Sequence, residues 1–460
     1  MKNRSRAKKR GRNASINVEA NSNKKNRQVE GKDQDKNSIT QAKKLYEAAK
    51  QKWLYPQNES DYEVQVKKLL RKSIRILEND NQSQSQSQSQ NQEEQEAKFS
   101  LHTQANDALT LLCIQISNSN PKEVNNLLRD GGYVARLSKD VLRYKLPSEI
   151  TRTRTAAAAA ATVTEQDGNH NNNNTSASSV ACPCHVYDDA LPTKDLNVLM
   201  KALCPEDSSY WKDHAYSVYP PTPYFSYAFD LRDETLNQLG ALGEHVKNVR
   251  RLSSGIFDEF TDEATAQYAE IWAHHRPHCS GHQLHFDSDN EGRGEVKHPL
   301  VSSIIYLSDE GCGGPSLMTD QRLGDNELAQ NGWLAYPKKN RLVVFDGSVL
   351  HGVIPGRGFV GHRKRVTLMV ALWKDIRIRK GKEPGAARPL PMLMRKRKDD
   401  ATSMPEWFQY LTSKGDDKDV SKNTAKKVEP ERLGCVFSTR KGKPIREGQM
   451  PHYDTVFQGF

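Results

Sequence analysis

The sequence predicts an α+β fold class, in which a helical N-terminal extension precedes a β-rich domain with flanking helices. Apolar residues recur at helical intervals over residues 40–78 and again over 97–147. Beyond residue 283 the pattern changes to short apolar runs between glycine-rich turns, which is typical of a sandwich or jelly roll. Only 35% of the 460 residues are hydrophobic, so part of the chain is predicted to lie outside packed domains.

Composition shifts divide the chain into segments. A Ser-Gln repeat and an alanine run followed by polyasparagine both lack the apolar residues that a core needs. The predicted segments are a disordered basic tail (1–38), a helical extension (39–147) interrupted by a Ser-Gln low-complexity linker (80–96), a second low-complexity linker (148–179), the β-rich domain (180–375) and a basic C-terminal extension (376–460).

The charge of the chain is strongly positive, with a formal net charge of +11. Basic residues concentrate before residue 13 and again over 377–398, which is the pattern of a solvated tail, a nucleic-acid contact or a localisation signal. The seven cysteines form no disulfide framework, so an intracellular location, cytoplasmic or nuclear, is expected. No apolar stretch approaches the roughly 18 residues of a membrane span, so no membrane partner is expected.

The β-rich domain contains one clear helical pattern, over 196–203, and aromatic residues are dense over 210–227. The C-terminal extension contains a single apolar island over 405–411. Period-two or continuous apolar runs bounded by Gly, Pro and Asp predict strands over 283–287, 300–307, 341–345, 349–354 and 366–373.

A candidate metal site lies on these strands. His285 and Asp287 are two residues apart, so on an extended strand their side chains point to one face. His351, on a neighbouring predicted strand, supplies a second imidazole. Two imidazoles and one carboxylate form the facial triad of non-heme Fe(II) oxygenases, which leaves positions open for other ligands. Asp289 has the same alternation as Asp287 and is the competing carboxylate.

Five motifs surround these residues in a fixed order and together lie within about a quarter of the 460 residues. They resemble the catalytic core of the 2-oxoglutarate- and Fe(II)-dependent dioxygenases, and particularly the prolyl 4-hydroxylase-like branch. The motifs are Gly281-His-Gln-Leu-His-Phe-Asp-Ser-Asp289, Leu300-Val-Ser-Ser-Ile-Ile-Tyr-Leu-Ser308, Gly313-Gly-Pro-Ser316, Arg341-Leu-Val-Val-Phe-Asp-Gly-Ser-Val-Leu-His-Gly-Val353 and Arg365-Val-Thr367.

This resemblance implies a double-stranded β-helix, or jelly roll, with His285, Asp287 and His351 as the iron ligands. It implies Fe(II), 2-oxoglutarate as cosubstrate and O2, with ascorbate as a candidate reductant. The implied reaction is hydroxylation of an unactivated C–H bond, with release of succinate and CO2. A prolyl or other protein side chain is the candidate substrate.

The resemblance also implies a cosubstrate site. Arg365 is the expected partner of the distal carboxylate of 2-oxoglutarate, because a guanidinium binds a carboxylate bidentately. Thr367, two residues on, adds a hydroxyl on the same face, and Tyr306 is a candidate pocket aromatic. Arg363 shares the alternation and is the rival anchor. Animal collagen hydroxylases use a lysine instead, so their specificity does not transfer directly.

Two other functions compete with protein hydroxylation. A nucleic-acid oxidative demethylase of the same superfamily would suit the basic charge, and it would need aromatic residues near a basic groove. A non-catalytic cupin-like scaffold would keep the fold without the chemistry, and the complete triad argues against it.

Two further patterns remain outside the triad. Four histidines precede it, and some of them are candidates for the pocket lining: His274, His275, His278 and His282. Cys182-Pro-Cys184-His185 brings soft ligands close together, but no second pair follows at zinc-finger spacing. That segment is therefore predicted to be a reduced, solvent-near turn.

Overall fold

The structure, a computed structural model, describes residues 38–53, 61–84, 92–115, 120–146, 181–218, 225–253, 266–289, 295–325, 327–357, 363–379, 387–394, 404–415, 425–439 and 455–459. The predicted tail up to residue 37, the linker over 148–179 and the basic run over 395–398 lie outside these residues. The chain divides into two compact units, Met1–Leu127 and Leu128–Phe460. In the described part, no helix has the length and apolar content needed to cross a membrane.

Helices make up the described part of the first unit, as the apolar periodicity predicts. Helix covers both ends of the predicted linker over 80–96, and its middle, 85–91, lies outside the described residues. The helices are α1 (38–53), α2 (Tyr62–Gln84), α3 (Gln92–Gln115) and the start of α4 (Pro121–Asp130).

The core of this unit joins α1, α2 and α3. Ala42, Leu77 and Leu101, one from each helix, pack together and are buried. On the surface, Lys67 and Arg71 of α2 both contact the carboxylate of Glu123, and these contacts hold the pKa of that carboxyl below its usual value despite partial burial.

The second unit is a mixed α/β structure with large antiparallel sheets. Its helices are α5 (Lys139–Leu142), α6 (Thr193–Leu203), α7 (Ser209–Asp213), α8 (Asp233–Asn237), α9 (Gly240–Ser253) and α10 (Glu406–Leu411). Its strands are β1 (Ala135–Leu137), β2 (Cys184–Asp188), β3 (Tyr227–Asp230), β4 (Tyr268–Pro277), β5 (His282–His285), β6 (Val301–Tyr306), β7 (Ser316–Arg322), β8 (Gly332–Ala335), β9 (Leu342–Asp346), β10 (Val349–Val353), β11 (Lys364–Trp373), β12 (Arg388–Pro389), β13 (Lys426–Val428), β14 (Glu431–Leu433), β15 (Phe437–Thr439) and β16 (Val456–Phe457).

Two of the sheets pack face to face. The larger has the order β12-β3-β4-β11-β6-β9-β2-β13 and the smaller β14-β8-β7-β10-β5. All pairings in both are antiparallel except β3 with β12. Side chains from both sheets, among them Met318, Trp333, Phe345 and Met369, form one buried cluster between them. The predicted α+β sandwich is therefore confirmed, while the double-stranded β-helix stays a prediction.

The central strand β11 separates two environments by simple alternation. Leu368 and Val370 point outward and join the larger core, which α6, α7, α9 and α10 cover. Thr367 and Met369 point inward, between the sheets. The same alternation brings a polar residue, Arg365, to the inner face at the start of the strand. A strand buried on both sides explains the nearly continuous apolar run in the sequence.

All five strands predicted from the sequence are present, with ends shifted by at most a few residues. The ten-residue strand β4 was not predicted. Its sequence, Tyr268–Pro277, places His275 on the outer face and His274 and Arg276 on the inner one, so both faces carry polar residues. Apolar periodicity gives no signal for such a strand.

The C-terminal extension is part of both sheets. β13 pairs with β2 at the edge of the larger sheet, and β14 pairs with β8 at the edge of the smaller one. Near the other boundary, β1 pairs with β15 and β16. Residues 128–146 thus belong to the second unit, and the limits predicted at 147 and 375 do not separate compact pieces. Unpaired edges invite association with other chains, and β13 and β14 limit it because the edges they form are only three residues long.

The Cys-Pro-Cys segment is not the solvent-near turn that the sequence predicts. Cys184 is the first residue of β2 and is only 1% exposed, because it packs in the cluster between the sheets. Cys182 is half-buried. Spacing alone did not show that an adjacent strand would bury one of the two thiols.

Trp407→Ala is expected to lower the free energy of unfolding by about 3–5 kcal/mol. Trp407 of α10 is 1% exposed, and its ring lies 5.1 Å from the ring of Tyr210 and 5.3 Å from that of Tyr227. Urea denaturation followed by circular dichroism measures the change. Leu323→Ala is the control, because Leu323 is 53% exposed and its loss should cost less than about 0.5 kcal/mol. Equal effects of the two substitutions would contradict the assigned core.

Candidate active site

The structure brings His285, Asp287 and His351 together. One possible ligand atom from each lies within 4.8 Å of the others. Oδ1 of Asp287 is 3.5 Å from Nε2 of His285 and 3.5 Å from Nε2 of His351. The histidines are direct cross-strand neighbours on β5 and β10, whereas Asp287 follows the end of β5. The strand pairing therefore fixes two of the three positions.

The hydrogen bonds of the two imidazoles determine which nitrogen faces the centre. Nδ1 of His285 lies 2.7 Å from the carbonyl of Gln283, and Nδ1 of His351 lies 3.0 Å from that of Val349. A carbonyl only accepts, so each Nδ1 carries a proton and donates. In the neutral rings both Nε2 atoms then have a free lone pair directed at Asp287. Such an outer hydrogen bond is typical of metal-binding histidines.

A hydrogen bond to its second oxygen fixes the orientation of the Asp287 carboxylate. The hydroxyl of Ser302 donates to Oδ2 at 2.6 Å, which leaves Oδ1 facing the two histidines. Burial raises the pKa of Asp287, but His351 and His285 beside it outweigh this and hold the pKa well below its usual value. The same contact raises the pKa of His351 against the effect of burial. The carboxylate of Asp287 thus stays ionised beside the two imidazoles in a compact group.

Asp289 is not part of this group. Its side chain is buried and its Oδ2 lies 3.1 Å from Nε of Arg377. The backbone N–H of Asp289 donates to the carbonyl of Lys297 at 3.0 Å, which turns the chain after Asp287. The structure therefore separates the two carboxylates that the sequence left as alternatives, and only Asp287 faces the histidines.

An inner chamber of about 40 Å³ lies beside the three residues. Arg365 enters it from β11 and is 3% exposed, yet its Nε and Nη1 have no hydrogen-bond partner among the described residues. The hydroxyl of Thr367 is likewise buried and unpartnered within the described part of the chain. Buried donors without acceptors are costly. A carboxylate in this chamber would satisfy both, so the residues present fit 2-oxoglutarate.

The stem of Arg365 is held by a close glycine. A Cβ on Gly313 would lie 2.5 Å from Cδ of Arg365, and the φ of Gly313 is +87°, so only glycine fits there. The N–H of Gly313 donates to Nδ1 of His278 at 2.8 Å, and Nε2 of His278 donates to the carbonyl of Arg357 at 3.1 Å. His278 thereby fixes the loop that supports Arg365.

The other predicted cosubstrate residues have different surroundings. Arg363 is exposed, so it does not share the buried position of Arg365. Tyr306 is fully buried on β6, directly opposite Thr367. Its hydroxyl already lies 2.7 Å from Oγ of Ser316 and 3.2 Å from the carbonyl of Ala335. The structure places Tyr306 in the core behind the chamber, and its contact with a cosubstrate stays a prediction.

A larger outer cleft of about 270 Å³ adjoins the inner chamber and shares several of its walls. Arg276 enters this cleft and lies directly across from Arg365 in the pairing of β4 with β11. Its Nη1 donates to the carbonyl of Gly281 at 3.0 Å, while its buried Nε has no hydrogen-bond partner within the described residues. The aromatic walls are Tyr216, Phe225, Trp272, Phe286 and Trp373.

The four histidines before the triad have two different roles. His274 and His282 line both compartments, and burial lowers the pKa of each well below its usual value, so both are neutral. His275 points to the opposite face and stacks on Trp211, and His278 supports Gly313.

Arg276 and Trp272 also line the outer cleft, but the sequence did not indicate them as site residues. Recognising them requires the strand β4, which the apolar periodicity did not reveal.

Comparison with known proteins gives structural likenesses only, since no family model and no curated protein matches the chain. A Pseudomonas putida prolyl-4-hydroxylase is similar with a TM-score of 0.27 and 16% identity, over 42% of this chain and 93% of its own. EvdO2 of Micromonospora carbonacea var. aurantiaca, in complex with 2-oxoglutarate, gives 0.28 and 12%, over 42% and 86%. HygX of Streptomyces hygroscopicus, with nickel and 2-oxoglutarate, gives 0.22 and 10%, over 45% and 92%. TM-scores of this size establish neither the fold nor the function of this chain.

Asp287→Ala is expected to weaken Fe(II) binding by more than about a hundredfold, because even residues outside the ligand sphere contribute 10–100-fold in metal sites. Asp289→Ala is the matched control, since it removes a buried carboxylate only two residues away that faces Arg377. Anaerobic titration calorimetry with Fe(II) on both variants and the parent provides the measurement. Equal affinity of the parent and Asp287→Ala would show that the three residues do not bind the metal.

Proposed function

We propose that this protein is an Fe(II)- and 2-oxoglutarate-dependent dioxygenase that hydroxylates an unactivated C–H bond, with His285, Asp287 and His351 as the iron ligands. The observation that carries the proposal is the position of this cluster beside a buried guanidinium whose Nε and Nη1 have no acceptor among the residues that the structure describes. A metal site alone would suit many activities. Here the metal site lies next to Arg365 and Thr367, whose buried polar atoms have no hydrogen-bond partner among the described residues. This arrangement suits a cosubstrate that binds iron at one end and has a carboxylate at the other.

Each residue has a distinct task in this proposal. His285, His351 and Asp287 hold Fe(II) on one face and leave the remaining positions open. Arg365 binds the distal carboxylate of 2-oxoglutarate as an ion pair, and Thr367 donates a hydrogen bond to it. Bound iron and 2-oxoglutarate supply the oxidising chemistry, with succinate and CO2 as products. Arg365 is buried, and burial lowers the local dielectric constant, which strengthens its contacts with the ligand.

The outer cleft is the proposed entrance for the substrate. It is lined by His285 and Asp287 and by Arg276 rather than Arg365, and its aromatic walls suit an apolar group such as a prolyl or other protein side chain. Of the aromatic residues that are dense over 210–227, Tyr216 and Phe225 line the cleft. Tyr227 is buried, with its hydroxyl 2.7 Å from Nε2 of His214. We take a protein side chain as the substrate, and a nucleic acid is the alternative that the same aromatic walls beside Arg276 would suit.

Arg365→Met is expected to weaken 2-oxoglutarate binding by about tenfold to a hundredfold, because a hydrogen bond to a charged group contributes about 1.5–3 kcal/mol. Methionine keeps the apolar stem that packs on Gly313. Arg363→Met is the matched control, since that arginine is exposed. The readout is the visible charge-transfer band of anaerobic protein with Fe(II), titrated with 2-oxoglutarate, which needs no knowledge of the substrate.

Arg365→Met is expected to leave the thermal stability of the ligand-free protein unchanged or to raise it, although it weakens cosubstrate binding. Arg365→Met removes a buried charge that has no partner in the free protein, so the ligand-free variant should unfold at the same or a higher temperature than the parent. Parent and Arg363→Met protein should give the same titration curve. A well-folded parent that shows no band with Fe(II) and 2-oxoglutarate would overturn the proposed function and favour a scaffold that does not bind the cosubstrate.

A further inference from the structure

Cys182 and Cys184 form a second chemically distinctive cluster, which lies outside both compartments of the candidate active site. Their Sγ atoms are 3.7 Å apart, and the thiol of Cys182 donates to the carbonyl of Cys184 at 3.0 Å. A disulfide joins sulfurs about 2.05 Å apart. The two sulfurs therefore need to approach by less than 2 Å to bond, which is within reach of a side-chain rotation.

The backbone around the pair is fixed by its neighbours. Cys184 opens β2 and is paired with Phe345 of β9. The carbonyl of Pro183 accepts a hydrogen bond from the N–H of Asp346 at 2.9 Å, and the proline ring restricts φ at the bend between the cysteines. Pro183 and Cys184 are thus attached to β9, which fixes the backbone between the two thiols, and the hydrogen bond from Cys182 to the carbonyl of Cys184 keeps its thiol on the same side of the chain.

The two thiols differ in access. Cys184 is 1% exposed and packs between the sheets, whereas Cys182 is half-buried and precedes the strand. A reagent from solution therefore meets Cys182 first, and Cys184 is positioned to attack whatever becomes attached to Cys182. An accessible thiol beside a shielded one is the arrangement that thiol–disulfide exchange requires.

We propose that Cys182 and Cys184 form a reversible dithiol–disulfide couple whose reaction partner is a small disulfide of the glutathione class. The thiolate of Cys182 attacks one sulfur of oxidised glutathione, forms a mixed disulfide and releases one glutathione thiol. The thiolate of Cys184 then attacks Sγ of Cys182, forms the intramolecular disulfide and releases the second glutathione thiol. The protein loses two electrons and two protons, and these reduce one disulfide to two thiols.

The sequence offers a direct test. Trypsin cleaves after Arg154 and Lys194, and the peptide 155–194 contains Cys182 and Cys184 as its only cysteines. The full-length chain is equilibrated in buffers of increasing oxidised-to-reduced glutathione ratio, quenched in acid, alkylated in denaturant, digested and analysed by mass spectrometry. The expected result is a loss of both alkyl groups together, with no glutathione attached, over a range of ratios and reversibly.

Two variants define the order of attack. Cys184→Ser should keep one glutathione attached to Cys182, because the resolving thiol is gone. Cys182→Ser should acquire glutathione on Cys184 much more slowly, because that sulfur is buried. Cys435→Ser is the control, since Cys435 is exposed and lies far along the sequence, and it should leave the peptide 155–194 unchanged. Double alkylation at every ratio, or glutathione on both sulfurs of the parent, would overturn the proposal.

Discussion

A buried positive charge that has no negative partner in the described part of the chain is the constraint around which the site is arranged. Arg365 reaches the space between the sheets because β11 alternates strictly, and Gly313 leaves room for its stem. Burying an unpaired ion costs several kcal/mol, and the surrounding sheet has to offset that cost with apolar burial on its other face. The helices over that face, centred on residues such as Trp407, therefore make the polar interior possible. Apolar packing and the buried charge thus lie on opposite faces of the same strand.

Arg276 adds a second positive charge opposite the first. The two guanidinium groups are cross-strand neighbours, and like charges in that position repel each other. One dicarboxylate in the inner chamber would neutralise Arg365, while Arg276 faces the outer cleft. The interior is thus electrically divided between the carboxylate of Asp287 and the two guanidinium groups on β4 and β11. Burial keeps His274 and His282 neutral, so their rings add no charge.

His285, Asp287, His351 and the strands around them could be predicted because short stretches of sequence indicate them. His285, Asp287 and His351 stand in short motifs, and each strand predicted around them is present. Alternation alone treats Asp287 and Asp289 alike, so the choice of Asp287 rested on the family resemblance. In the structure the chain leaves the strand after His285. Arg377, which lies far along the sequence, forms an ion pair with Asp289, and only Asp287 is left beside the histidines. Arg276 was beyond prediction, since β4 carries polar residues on both faces and its pairing with β11 depends on contacts ninety residues away in sequence.

The late strands of the chain have a consequence for its biosynthesis. β13 and β14 cover β2 and β8, which otherwise end the two sheets. A ribosome adds about 5–20 residues per second and releases the N-terminal parts first. While residues 426–439 are still being made, the strands that carry His285 and His351 are already outside the exit tunnel, and β2 and β8 still lack their partners at one edge of each sheet. The interval in which β13 and β14 are made is therefore when the nascent protein most needs a chaperone, and a message that stops before them would yield a chain able to pair with its own copies.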